Sequence, residues 1–275
     1  MQPVASGTLR KMATRLEDPV QYKLRLGECQ VSANSMLGNQ IVLRHAGVIN
    51  CIHCGRISKK SFNQGYCFPC FQKLAQCDSC IIHPEKCHYD QGSCREPEWG
   101  EEFCMQDHIV YLANSSGIKV GITRATQIPT RWIDQGATQA LAIIRVRSRL
   151  HSGMLEVLLK QHVSDKTNWR IMLKSESAEV DLESVRDELL LACKPDIDEL
   201  SEQLGFFGIS VLNGIPPVTI NYPIKQLPET ITALSFEKQA EVSGTLLGIK
   251  GQYLILDSGV INLRRFAGYH VELFT

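Results

Sequence analysis

Cys51-Ile52-His53-Cys54, followed twelve residues later by Cys67-Phe68-Pro69-Cys70, decides how the first half of this chain is held together. Two cysteines two residues apart present both sulfurs from one tight loop, and tetrahedral Zn2+ takes four thiolates at about 2.3 Å. Two such pairs one hairpin apart make a complete site, so Cys51, Cys54, Cys67 and Cys70 are expected to hold a structural zinc. A disulfide framework is the other use for so many thiols, but it belongs to short secreted chains. This chain has 275 residues, and its opening MQPVASGTLRKMATRLEDP lacks the apolar core of a signal peptide. A reduced, cytoplasmic protein is therefore expected.

Beyond Cys70 the spacing loosens to Cys77-x2-Cys80-x6-Cys87-x6-Cys94-x9-Cys104, with His83, His88 and His108 nearby. A short helix through Phe71, Leu74 and Ala75 would keep Cys77 beside the first site. That leaves Cys80, Cys87, Cys94 and Cys104 as the expected ligands of a second zinc. Cys29 and Cys193 stand alone and read as core residues, since a free thiol packs as a small hydrophobe.

Composition is that of a soluble globular chain: 44% apolar, 21% charged, net charge zero. Zero net charge argues against coating nucleic acid through bulk attraction, and no apolar run approaches the ~20 residues of a membrane span. Charge is nevertheless segregated. Lys119 to Lys174 holds ten Lys/Arg against Asp134, Glu156 and Asp165, whereas Ser175 to Leu204 holds ten acids against Arg186 and Lys194. A basic surplus of that kind suits a phosphate-bearing partner, through Arg124, Arg145, Arg147, Arg149, Lys166 and Arg170. The acidic stretch reads as helix, with Val185, Leu189, Leu190 and Ala192 as its apolar stripe.

The ends alternate as strands do, at Tyr22–Leu26 and Gln40–Arg44. Gly38-Asn39-Gln40-Ile41-Val42-Leu43 with Gly47-Val48-Ile49-Asn50 resembles Gly251-Gln252-Tyr253-Leu254-Ile255-Leu256 with Gly259-Val260-Ile261-Asn262. Each reads as strand, glycine turn, strand, and the two ends are expected to pack together. The expected fold class is α+β. A β-rich unit over 1–50 precedes the zinc-binding module over 51–107, and a small α/β unit occupies 108–174. An acidic helical segment over 175–205 and a β-rich unit over 206–275 complete the chain.

Within 108–174, Ile109–Ala113 and Ile118–Thr123 flank Asn114-Ser115-Ser116-Gly117, which reads as a β-hairpin. Pro129-Thr130-Arg131 starts a helix, Leu141–Val146 is a third strand, and Met154–His162 a helix with Leu155, Leu158 and Leu159 on its apolar side. The order Tyr111, Lys119-Val120-Gly121-Ile122-Thr123, Arg131, Glu156, Asn168 resembles the GIY-YIG nuclease superfamily, in the branch whose second motif reads Lys-Ile/Val-Gly-x-Thr. The chain departs from that pattern by placing Ile109-Val110 before the first tyrosine and Lys119 where many members have the second. Zinc cysteines followed by this module also look like an uncharacterised bacterial zinc-containing family.

The resemblance implies roles. Glu156 would hold Mg2+ or Mn2+, Tyr111 would contact or activate the attacking water, and Arg131 would stabilise transition-state charge. Lys119 would neutralise phosphate, and Asn168 would support the site. The expectation is thus a zinc-stabilised protein acting on DNA or RNA as a metal-dependent endonuclease. A non-catalytic nucleic-acid-binding module and a zinc-based docking protein for a protein partner remain open as alternatives.

Overall fold

The alternating residues at the two ends of the chain meet in one sheet. In a computed structural model that describes residues 2–174, 178–205 and 208–275, the chain begins with β1 (Ala5–Arg15), β2 (Gln21–Leu26), β3 (Cys29–Ser32) and β4 (Gln40–Ile49). The cysteine-rich segment forms α1 (Phe68–Lys73), α2 (Pro97–Phe103) and three 3-10 turns, at Ala75–Cys77, Ser79–Ile81 and Pro84–Lys86. Then follow β5 (His108–Asn114), β6 (Ile118–Arg124), α3 (Thr130–Asp134), β7 (Gln139–Val146), α4 (Arg149–Leu159) and α5 (Trp169–Lys174). Next come α6 (Leu182–Ala192), α7 (Lys194–Leu204), β8 (Ile209–Val211) and β9 (Val218–Thr219). The chain ends with β10 (Glu241–Lys250), β11 (Tyr253–Leu256), β12 (Gly259–Asn262) and β13 (Tyr269–Phe274). The fold is α+β.

An eight-stranded sheet runs β12-β11-β10-β4-β13-β1-β2-β3, so the last strand lies between two of the first. A smaller sheet runs β6-β5-β7-β8, with β9 also paired to β7. Residues after 205 therefore return to the small sheet before joining the large one. The sequence repeat does not make two equal units. Tyr253–Asn262 is a hairpin, but Gln40–Ile49 is one strand with Gly47 inside it. The reason is tertiary: β4 is paired on both sides, to β10 and β13, and Gly47 (φ 78°) sits where its pairing with β13 steps from His45–Val271 to Ile49–Tyr269. The glycine accommodates a bulge there, not a reversal.

Every residue of β5 is buried, because both faces of its sheet are covered. Val110 and Leu112 face Leu155 and Leu159 of α4, Leu182 and Leu189 of α6, and Ile197 and Leu200 of α7. The acidic stretch thus covers the small sheet with its apolar side, as two helices; Ser175–Ser177, where that stretch begins, lie outside the described residues. The opposite face, with Ile109, Tyr111, Ala113, Ala140 and Ala142, joins Trp132 and Ile133 and merges into the core of the large sheet around Leu9, Met12 and Ile249. The two sheets share one core. Cys193 is buried as expected, whereas Cys29 is exposed at the start of an edge strand. Among the described residues no helix is long and apolar enough to cross a membrane.

Candidate functional site: a four-cysteine centre and a hairpin cluster

Each CxxC pair is shaped by its own turn. The Gly55 N–H donates to the Cys51 carbonyl at 2.9 Å, and a φ of 73° makes glycine the natural residue there. The Phe71 N–H donates to the Cys67 carbonyl at 2.9 Å as α1 begins. These turns bring the sulfurs of Cys51, Cys54, Cys67 and Cys70 within 4.8 Å of one another, with Cys54 and Cys67 at 3.7 Å. Tetrahedral thiolates on zinc stand about 3.8 Å apart, so the donor set fits the metal. Ionisation points the same way. Burial opposes the Cys51 thiolate, yet hydrogen bonds from the amides of Cys54, Cys67 and His53 bring it down to about 6. Burial and the other three sulfurs push Cys70 far up, a conflict that a divalent cation relieves. The cluster is suited to structural zinc.

The expected second set is only partly assembled. Cys80, Cys87, Cys94 and Cys104 line one small cavity, but Asp78 and His88 line it too, and the close group of ligand atoms there is Asp78, Cys80 and His88.

The hairpin expected from the sequence is β5–β6. Tyr111 pairs with Gly121 on one side and Ala142 on the other, so its ring lies across two small neighbours. A methyl group at Gly121 would stand 2.7 Å from the phenol oxygen. Trp132 meets the ring edge-on at 6.0 Å, and Gln135 Nε2 donates to the hydroxyl at 2.6 Å. Burial raises the Tyr111 pKa, with Arg131 and Gln135 pulling the other way.

Lys119 is 6% exposed on β6. Burial and Arg131 lower its pKa to about 8, against the opposing pull of Glu156 and Asp165. Glu156, on α4, is raised by burial and then by Asp165, and lowered by Arg131, Lys160 and Arg149. Arg131 is set by its helix end: the Asp134 carboxylate accepts from Lys11 Nζ and from Gln252 Nε2, each at 2.8 Å. Those bonds fasten α3 to β1 and to the turn before β11. Tyr111, Lys119, Arg131 and Glu156 therefore form one electrostatic cluster drawn from four elements.

Residues 38–271 match the model of a family described as a protein of unknown function, DUF2797. The chain belongs to that family. No curated protein and no solved structure matches it.

Other sequence-derived residues of this DUF2797 chain behave differently. Asn168 caps α5, its Oδ1 accepting from the amides of Arg170 and Ile171 at 3.1 and 3.3 Å. Arg145 and Arg147 are exposed, and Arg145 lies 3.9 Å from Asp107. Arg149 does not join them in a surface patch: it starts α4, turns inward and donates from Nη2 to the Ile81 carbonyl at 2.6 Å. Arg124 is half-buried over the Phe103 ring, whereas Lys166 and Arg170 are exposed, Arg170 stacking on Trp169 at 4.4 Å.

Glu156 has a second acid acting on it. The segment after α4 runs back beside β6, where Val120 N–H donates to the Ser164 carbonyl at 2.8 Å, and this brings Asp165 to the cluster. Gln135 is the other member that sequence reading missed. Neither belongs to a motif, and only the fold brings them near.

Proposed function

We propose that this protein acts on nucleic acid, with the hairpin cluster as the centre of a divalent-metal-dependent phosphodiester cleavage in the manner of GIY-YIG nucleases. The observation that carries this reading is that Arg131 and Glu156, brought from separate elements, both act electrostatically on Tyr111 and on Lys119. Phosphodiester cleavage needs cations where phosphate charge builds up, a group that orients the attacking water, and carboxylate for a hard metal. Arg131 and Lys119 supply the cations. The Tyr111 hydroxyl oxygen accepts from Gln135, which leaves its hydrogen to orient water or a phosphate oxygen. Glu156, with Asp165 beside it, offers the oxygen donors that Mg2+ or Mn2+ takes, and such an ion when bound acts as a Lewis acid on the phosphate. A cation there would also offset the burial that now works against the Glu156 carboxylate.

The first cysteine lobe supports a nucleic-acid partner independently. Residues 51 to 77 contain Arg56, Lys59, Lys60 and Lys73 and no acid. Phe68 is 49% and Ile57 74% exposed beside them. Cations interleaved with an exposed ring suit a phosphate backbone and stacked bases. Reducing conditions keep metal-binding thiols reduced, so we place the protein in the cytoplasm. A second reading, binding without turnover, is favoured by the full burial of Tyr111 and the near-full burial of Lys119, which limit how much of the pair a substrate meets.

The test is an electrophoretic screen of single- and double-stranded DNA and RNA with Mg2+ or Mn2+, on protein purified without chelator. Cleavage is expected, with Glu156→Gln lowering it by roughly 100-fold or more while binding persists, as for loss of a group that acts on transition-state charge. Binding should weaken as salt rises, through counterion release. Salt-dependent binding with no cleavage in any metal would select the second reading. No binding to any nucleic acid would overturn both.

A further inference from the structure

A small cavity in the cysteine-rich segment is lined by Asp78, Cys80, Cys87, His88, Cys94 and Cys104. The partners of these groups sort them. The Asp78 carboxylate is already engaged: Oδ1 accepts from the Ser79 amide at 2.6 Å, and Oδ2 accepts from Arg95 Nε at 2.7 Å. Cys94 Sγ is turned to the Glu96 carbonyl at 3.5 Å. His88 Nδ1 is hydrogen-bonded to Ser93 Oγ at 2.9 Å, while Nε2 faces Asp78 Oδ2 at 3.5 Å. Cys87 and Cys104 both lie within electrostatic reach of Cys80, and Cys87 and Cys94 within reach of Cys104.

Arg149 bears on the same place. The Arg149 Nε–H is buried without a hydrogen-bond partner, and Cys104 and Cys80 are the foremost charges acting on that guanidinium. A buried, unpaired N–H of a cation is costly beside neutral thiols and well placed beside thiolates.

We propose that this cavity holds a second Zn2+, bound by the thiolates of Cys80, Cys87 and Cys104 and by Nε2 of His88, with Cys94 outside the ligand set. Three thiolates and an imidazole are a common tetrahedral set for structural zinc. The net negative charge of such a centre is matched by Arg149 and Arg95. The metal would also do mechanical work for the hairpin cluster. Cys80 and Cys87 bracket the 3-10 turn at Pro84–Lys86, and that turn presses on α4 at Gly153, where a methyl group would stand 2.6 Å from the Pro84 carbonyl carbon. The carbonyl of Ile81 in the same loop receives Arg149 Nη2. Clamping the loop at both ends fixes the first turns of α4, the helix that carries Glu156, whatever chemistry Glu156 performs.

Zinc is counted by elemental analysis on the full chain purified without chelator. Two zinc ions per chain are expected. Cys54→Ser should leave one, His88→Ala should leave one, and Cys94→Ser should keep two. His88→Cys replaces the nitrogen donor with a thiolate and should restore two, which separates lost ligation from misfolding. In His88→Ala, hydrogen exchange should accelerate over residues 149–159 while residues 51–74 stay protected. One zinc in the unchanged chain, two in His88→Ala, or one in Cys94→Ser would each overturn the assignment.

Discussion

Lys119 shows at the scale of one residue how the candidate site is set against stability. A lysine 6% exposed and beside Arg131 is held near a pKa of about 8, while the unfolded chain keeps the ordinary 10.5. Below about 8 both states carry the proton, and the folded state bears the full cost of a buried charge. Between about 8 and 10.5 the unfolded chain binds the proton that the folded one lacks, so that cost is relieved as pH rises. Lys119→Met should therefore raise the melting temperature at pH 7 by about 2–4 °C, the shift that about 1 kcal/mol gives in a domain of this order of size. The gain should shrink by pH 9.5, and phosphate-dependent binding should fall. Melts of both proteins at the two pH values check this; a variant less stable than its parent at pH 7 would mean that Glu156 and Asp165 hold the ammonium more firmly than burial opposes it. Glu156 carries the opposite bias, raised by burial and Asp165, so the pair is poised for ligands that add charge of both signs.

The cysteine lobes show at the scale of elements what a metal supplies when hydrophobic burial is scarce. α1 buries no residue fully. A lobe of that kind takes its folding energy from the ion, which in zinc-binding peptides is worth about 10 kcal/mol or more. Cys54→Ser should then release residues 51–74, with amide exchange faster by tenfold or more, while β1 and β13 keep their protection. Hydrogen exchange read by mass spectrometry makes the comparison, and uniform loosening of the whole chain would contradict it. The lobe is tied to the large sheet by Asn50 N–H to the Gly268 carbonyl at 2.7 Å, Ser61 Oγ to the Ala267 carbonyl at 2.9 Å and Arg10 Nη2 to the Ile52 carbonyl at 3.1 Å, among others.

Over the whole molecule the decisive strand is the last one. β13 lies between β4 and β1, and Val271 and Leu273 are fully buried in the core that also takes in Tyr111 and Trp132. Removing residues 263–275 should abolish cooperative melting of the entire chain, including the hairpin, as followed by circular dichroism. A truncated chain that still binds zinc and melts cooperatively would show that the two sheets fold independently.

Much of this was legible in the residues themselves. Spacing determined the four-cysteine centre, because two CxxC pairs impose their own turns whatever surrounds them. Alternation and a polar, glycine-ended turn determined the β5–β6 hairpin, and apolar periodicity found Leu155 and Leu159 of α4 and Leu189 of α6, whereas Ala192 of the expected stripe is exposed and Leu182 and Arg186 take the buried side. These are local rules, carried by neighbours in the chain. Tertiary structure alone decided that β4 is one strand, since Gly47 reads as a turn until a partner is bonded on each side. It alone turned Arg149 inward, away from Arg145 and Arg147, because the carbonyl that receives it belongs to a loop some seventy residues earlier in the chain. Asp165 came to Glu156 by the same means, through a backbone path beside β6 that no motif records. Pairings between distant segments depend on which surfaces are left to bury once the local elements exist, and that is a property of the whole chain.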